Sequence, residues 1–201
     1  MASRKPLCGV GINDAGYVTQ KNGKTCPLYR RWKDMIERCY SQKKRTFGMA
    51  QVCEEWLMFS NFRDWMAEQA WAGMELDKDI LIPGNKVYGP DACCFVGKDL
   101  NTLLNIESGP RSRVRLGVYK SKSGMFEAKC RVDGACKLLG TFDNPEAAHK
   151  AWQVQKAENI EAAVSAYSTS ATFMQDVANA LLSRAYKLRL DASLNIETFY
   201  I

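Results

Sequence analysis

Arg113, Arg115, Lys120, Lys122, Lys129, Arg131 and Lys137 fall within one short stretch. Residues 111–137 carry 8 Lys+Arg against 2 Asp+Glu. The chemistry open to such a set is polyanion binding. Lysine holds phosphate oxygens as a point charge, and arginine can also bond a guanine edge through two parallel N–H groups. Neutralised phosphates release their counterions, which drives association. A charge run by itself also suits a plainly solvated face, so the elements that carry it decide.

Three strand-like runs hold these cations, at 114–120, 125–132 and 136–142. Ser121-Lys122-Ser123-Gly124 and Asp133-Gly134-Ala135 supply turns between them. Alternation places Leu116, Val118, Ala128, Cys130, Leu139 and Thr141 on one face of an antiparallel sheet. Arg113, Arg115, Lys120, Lys122, Lys129, Arg131 and Lys137 then fall on the other. A register error of one residue would invert both sets. A helix starts at Asn144-Pro145-Glu146, with Asn144 as cap and Pro145 in the first helical position, and runs to about residue 163. Its alanines let it lie close on the sheet. A basic ribbon of this size fits the major groove of duplex DNA.

These residues resemble a known family. Gly117-Val118-Tyr119, Gly124-Met125-Phe126-Glu127-Ala128-Lys129, Leu139-Gly140-Thr141-Phe142-Asp143 and Glu146-Ala147-Ala148-His149-Lys150-Ala151-Trp152 are similar to the Apetala/ethylene-response-factor DNA-binding domain. The resemblance spans roughly 50 residues. It implies duplex binding by the sheet, with base readout from the first two strands. Arg115, Lys120, Lys122, Lys129 and Arg131 are the nearest matches to the readers. Phe126 stands where the family commonly has tryptophan.

The rest of the chain alternates in charge. Residues 1–48 carry 11 Lys+Arg and 3 Asp+Glu, residues 49–110 carry 4 and 10, and residues 138–201 carry 5 and 7. Residues 8–20 read as a short hairpin or loop. A helix is expected at 28–41, from Tyr29, Trp32, Ile36, Cys39 and Tyr40, followed by a loop with Lys43, Lys44 and Arg45. A second is expected at 54–70, with an aromatic core stripe of Trp56, Phe59, Phe62, Trp65 and Met66. Strands follow at 76–82 and 93–96, then a helical turn at 98–104. A final helix at 171–190 carries Phe173, Val177, Leu181, Ala185 and Leu188 on one face. It reads as a packing or dimerising element.

The front half also resembles a family. Tyr29-Arg30-Arg31-Trp32-Lys33-Asp34-Met35-Ile36-Glu37-Arg38-Cys39-Tyr40, Val52-Cys53-Glu54-Glu55-Trp56, Phe59-Ser60-Asn61-Phe62 and Leu76-Asp77-Lys78-Asp79-Ile80 are similar to phage HNH-type, homing-endonuclease-like proteins. Those often carry an ERF-like domain behind the nuclease. The resemblance implies a strand–loop–strand–helix finger around one divalent metal. Asp77 matches the family's aspartate, and Asn101 the helix asparagine. Lys78 stands where the histidine base belongs, and Asp91 near the middle asparagine. Asp77, Lys78 and Asn101 are thus the implied catalytic set. Asp77, Asp79 and Asn101 are the implied Mg²⁺ ligands. The single histidine, His149, belongs to the other half and is expected on a solvated helix face.

The expected fold class is α+β. A small aromatic, helical, ββα-metal-like domain at 1–105 precedes a linker at 106–113. An ERF-like domain at 114–164, three strands packed on a helix, is followed by a C-terminal helix and tail at 165–201. No run of about 18 apolar residues exists and no apolar signal core follows the N-terminus, so the expectation is a cytoplasmic protein without a membrane span. The 8 cysteines include no Cys-x-x-Cys pair. Zinc is therefore not expected, and most thiols are expected to be small buried groups. Three functions compete. The leading one is a phage-type duplex-DNA-binding protein derived from a homing nuclease, with weak or absent cleavage. The second is an active metal-dependent endonuclease or nickase. The third is a phage factor that captures a host protein, using the acidic block and the last helix. Oligomeric state is left open.

Overall fold

A computed structural model of the chain describes residues 5–104, 113–132 and 134–201. The fold is α+β, as expected. Contacts divide it into two compact units, Met1–Asn101 and Thr102–Ile201. Apart from Arg113, the linker expected at 106–113 lies outside the described residues, as does Asp133.

The N-terminal unit is built on aromatic burial. A small hairpin joins β1 (Gln20–Lys21) to β2 (Lys24–Thr25). Helix α1 (Pro27–Tyr40) begins with proline in its first turn, where the missing N–H costs nothing. It buries Tyr29, Trp32, Met35, Ile36 and Cys39, a three-and-four spacing. The helix expected at 54–70 is broken. A 3-10 turn (Glu54–Leu57) precedes α2 (Phe59–Ala67), with Met58 extended between them at φ −86° and ψ 125°. The break turns Trp56 against Phe62 edge-on, with ring centroids 5.0 Å apart. It also exposes the Trp56 carbonyl, which accepts from Trp32 Nε1 at 2.7 Å. A buried indole N–H thereby gets its partner.

Short strands complete this unit. β3 (Gln51–Val52) pairs parallel with β5 (Val87–Tyr88). β4 (Glu75–Asp77) pairs antiparallel with β6 (Cys94–Val96), and α3 (Lys98–Leu103) follows. The strand expected at 76–82 stops at Asp77. There the side chain accepts the backbone N–H groups of Asp79 and Ile80 and turns the chain.

The C-terminal unit is a sheet covered by helices. Its strands run in the order β10 (Ala135–Phe142), β9 (Phe126–Val132), β8 (Val118–Lys120), β7 (Arg113–Arg115), all antiparallel. The expected first strand is therefore two. Gly117, at φ +71°, bends the chain between them. A Cβ at that position would lie 1.9 Å from Trp152 Cδ1, so only glycine admits the indole. Helix α4 (Pro145–Tyr167) packs on the sheet, and its cap is as expected: Asn144 Oδ1 accepts from the Ala147 N–H at 2.8 Å. Helix α5 (Gln175–Leu194) buries Val177, Leu181, Ala185 and Leu188. Leu182, Tyr186, Leu190 and Leu194 are exposed along it. Asn195 ends it in the left-handed conformation, and the tail returns over α4.

Among the described residues, no helix is long and apolar enough to cross a membrane. Cys39, Cys93, Cys94 and Cys130 are buried, Cys26 and Cys53 are half-buried, and Cys8 and Cys136 are exposed. Burial pushes the Cys93 and Cys94 thiols up to about 12, so they are protonated packing groups.

Candidate nucleic-acid interface

β9 sets the faces of the C-terminal sheet. Ala128 and Cys130 are buried toward α4, so Glu127, Lys129 and Arg131 point outward. Directly opposed residues of antiparallel strands share a face. Tyr119 opposes Glu127, and Arg113 opposes Tyr119. Cys136 opposes Arg131, Leu138 opposes Lys129, and Thr141 opposes Glu127. The outer face thus brings together Arg113, Lys129 and Arg131 of the expected set. Lys122 is exposed in the turn between β8 and β9.

Three expected members fall elsewhere. Lys120 opposes Phe126 and Lys137 opposes Cys130, so both share the helix-side face. Arg115 opposes Val118, also on the helix side. Its guanidinium pairs with Glu146 in the first turn of α4, and its Nε lies 3.3 Å from Glu197 in the tail. It is a tie between β7, α4 and the C-terminus. The irregular β7 pairing displaces Arg115, whereas plain alternation from Val118 and Leu139 already puts Lys120 and Lys137 on the helix side. Thr141 is likewise corrected. A bulge between Leu138 and Gly140 inserts one residue and turns Thr141 outward.

The outer face is mixed rather than uniformly basic. Lys129 Nζ lies 2.7 Å from Glu127 and 5.5 Å from the Tyr119 ring centroid. The hydrogen bond that Lys129 donates to Glu127 raises its pKa, so that ammonium stays charged. Tyr119 and Leu138 add apolar surface that the expected set omits. Their signal in the sequence was plain alternation, since each adjoins a residue assigned to the helix side, Val118 or Leu139.

His149 is not on a solvated face, as the sequence suggested, but buried. Its Nδ1 donates to the Leu116 carbonyl across 2.9 Å, and its Nε2 accepts from the Thr198 N–H at 3.0 Å. Those partners require the neutral ring with hydrogen on Nδ1. Burial holds its pKa below the ordinary histidine value. The ring stacks on Trp152, with centroids 5.4 Å apart. The residue that covers it comes from the far end of the chain.

The strand–strand–helix order expected for the front half is present as β4, β6 and α3. Asp77 ends β4 and Asn101 lies on α3. The side chains are engaged in other ways. Asp77 Oδ1 accepts from Asp79 N at 2.8 Å and Ile80 N at 2.7 Å. Burial, with the neighbouring Asp79 charge, pushes its pKa up. Asp79 Oδ2 accepts from Lys78 Nζ at 2.7 Å. Lys78 is thus held in an ion pair with its neighbour. Among the described residues, no group of three or more His, Cys, Asp or Glu is arranged to hold a metal ion. In this arrangement Asp77 Oδ1 is engaged by the loop backbone and Asp79 Oδ2 by Lys78.

No family model matches the chain, and no curated protein or solved structure matches it.

Proposed function

We propose that the protein binds duplex DNA through the outer face of its C-terminal sheet. The observation that carries this reading is the shared outward register of Arg113, Lys129 and Arg131, with Lys122 in the adjoining turn. α4 and the buried Val118, Ala128 and Ala148 support that face from behind and fix its shape. A rigid ribbon with arginines on one face can follow a groove while its lysines hold phosphates. The likeness of residues 117–152 to a sheet-type DNA-binding domain points the same way. On this reading the front half is a phage-type, HNH-derived scaffold that has kept the strand–strand–helix order without a histidine base. Binding without cleavage is its expected activity.

The test uses a labelled duplex, titrated at several salt concentrations, and a supercoiled plasmid with Mg²⁺, Mn²⁺ or EDTA. The expected result is a salt-sensitive complex and no metal-dependent nicking. Absence of binding to any duplex at low salt would end the proposal. Metal-dependent nicking would show instead that the front half is a working nuclease.

A further inference from the structure

We propose that the N-terminal unit has a second phosphate-docking surface, made by the 43–45 loop with Arg38, whose guanidinium Tyr88 holds in place, and that it grips a nucleic-acid backbone. It rests on the nucleic-acid reading above but on different residues.

The loop is pinned rather than loose. Thr46 Oγ1 donates to the Arg38 carbonyl at 2.8 Å, and the Gly48 N–H donates to the Cys39 carbonyl at 3.1 Å. Inside the loop, Lys44 N donates to Ser41 O at 2.9 Å and Phe47 N to Lys44 O at 3.1 Å. Lys43, Lys44 and Arg45 are all exposed on this frame, at the end of α1. A pinned loop has already lost the backbone freedom that binding would otherwise cost.

Arg38, also exposed, extends the cationic surface onto α1. Its Nη1 donates to Tyr88 Oη at 3.1 Å. Tyr88 is itself buried, so its phenol oxygen acts as an acceptor that fixes the Arg38 guanidinium from the core side. Lys78 Nζ stands 5.9 Å from the Tyr88 ring centroid. The carboxylate at this cluster is Asp79, on Lys78. Glu37 and Glu75 are taken by Lys33 and Arg31. Among the described residues, no carboxylate lies within ion-pair distance of Arg38, Lys43, Lys44 or Arg45. Phe47, exposed in the same loop, adds a flat aromatic face. Clustered exposed cations without carboxylate partners suit the closely spaced phosphates of a duplex backbone, whose counterions they release.

The experiment measures fluorescence anisotropy of a labelled duplex with the full chain across a salt series. The variants are K43A/K44A/R45A, Y88F, and K129A/R131A on the sheet. The loop variant should lower the salt slope by about 2–3, at ~0.9 per phosphate contact, with an unchanged unfolding midpoint. Y88F should weaken binding by roughly fivefold, the loss of one modest hydrogen bond. Polyglutamate and inorganic phosphate at matched ionic strength should not displace the duplex. An unchanged slope in the loop variant, while K129A/R131A loses binding, would overturn this surface and leave the sheet reading standing. Displacement by polyglutamate as effective as by unlabelled duplex would also overturn it, as would displacement by phosphate. If the unaltered protein binds no duplex, both proposals fall together.

Discussion

The Thr198 N–H donates to Nε2 of His149 at 3.0 Å, which fastens the end of the chain to the helix that backs the sheet. Neighbouring bonds reinforce the clasp. Gln153 Nε2 donates to the Ile196 carbonyl at 2.8 Å and to Thr198 Oγ1 at 2.9 Å, and Thr198 Oγ1 donates to Asp191 at 2.8 Å. On the other side of the ring, Nδ1 holds the Leu116 carbonyl, one residue before the bend at Gly117.

This clasp is expected to weaken in acid. The folded state holds His149 below its ordinary value, with burial as the main cause. The unfolded chain then binds the proton more readily, so stability falls as pH drops. The contribution is fully present above about 6.5, the unfolded value, and is lost as pH falls toward the lower folded value. A protonated Nε2 would face the Thr198 N–H, donor against donor. Thermal unfolding between pH 7.5 and 5 should show the loss, and His149→Gln should flatten it while lowering the plateau. Because the chain has one histidine, its imidazole signals can be followed directly by NMR. Titration at or above 6.5 would refute the account.

Gly117→Ala should be among the most damaging single changes. The added Cβ would meet Trp152 at 1.9 Å, in a backbone conformation at φ +71° that side chains disfavour. Strain of ~3 kcal/mol or more is expected from the two effects together. Denaturant unfolding followed by tryptophan fluorescence measures it. A loss below ~1 kcal/mol would mean that the indole has another place to go.

Much of this architecture was legible because local signals agreed with packing. The spacing of Tyr29, Trp32 and Ile36 placed α1, and Asn144-Pro145 placed the start of α4. What stayed hidden was set by distant partners. Arg115 read as an outward cation until Glu197, from the tail, was seen beside it. His149 read as solvated until Thr198 covered it. Lys120 and Lys137 were put on the wrong face because their charge was given more weight than alternation, which sets each on the side of Val118 or Leu139 two residues away. In the candidate nuclease site, Asp77 was noticed as an acid, but its role in turning its own backbone cannot be read from composition.

Asp77 offers a clean separation of structure from chemistry. Its Oδ1 accepts two backbone N–H groups, a role that an amide oxygen can fill. Asp77→Asn should therefore change stability by less than ~1 kcal/mol at pH 7, whereas Asp77→Ala should cost ~1–3 kcal/mol for the orphaned donors. The pH sign is opposite to that of His149. Burial raises the Asp77 pKa, so its contribution is fully present below the ordinary aspartate value and is lost as pH rises through the folded one. Asp77→Asn should remove that dependence. If the asparagine variant stays folded and a metal-dependent nicking activity disappears with it, the structural reading of this carboxylate is incomplete.

The sheet face makes the sharpest contrast for DNA binding, because neighbouring cations are assigned opposite sides by register. Arg131 and Lys129 face outward from β9, whereas Lys137 and Lys120 share the helix-side face of the flanking strands. Arg131→Ala should weaken duplex binding by ~1–3 kcal/mol if it reads a base, with loss of discrimination between sequences. Lys129→Ala should instead lower the salt slope by about 1, with a uniform loss across sequences. Lys137→Ala and Lys120→Ala should leave affinity nearly unchanged. Arg115→Ala should act on stability, through its pairs with Glu146 and Glu197, before it acts on DNA. Titration of the five variants against one duplex measures all of this. Losses at Lys120 and Lys137 with none at Lys129 and Arg131 would mean that the opposite side of these strands meets the DNA.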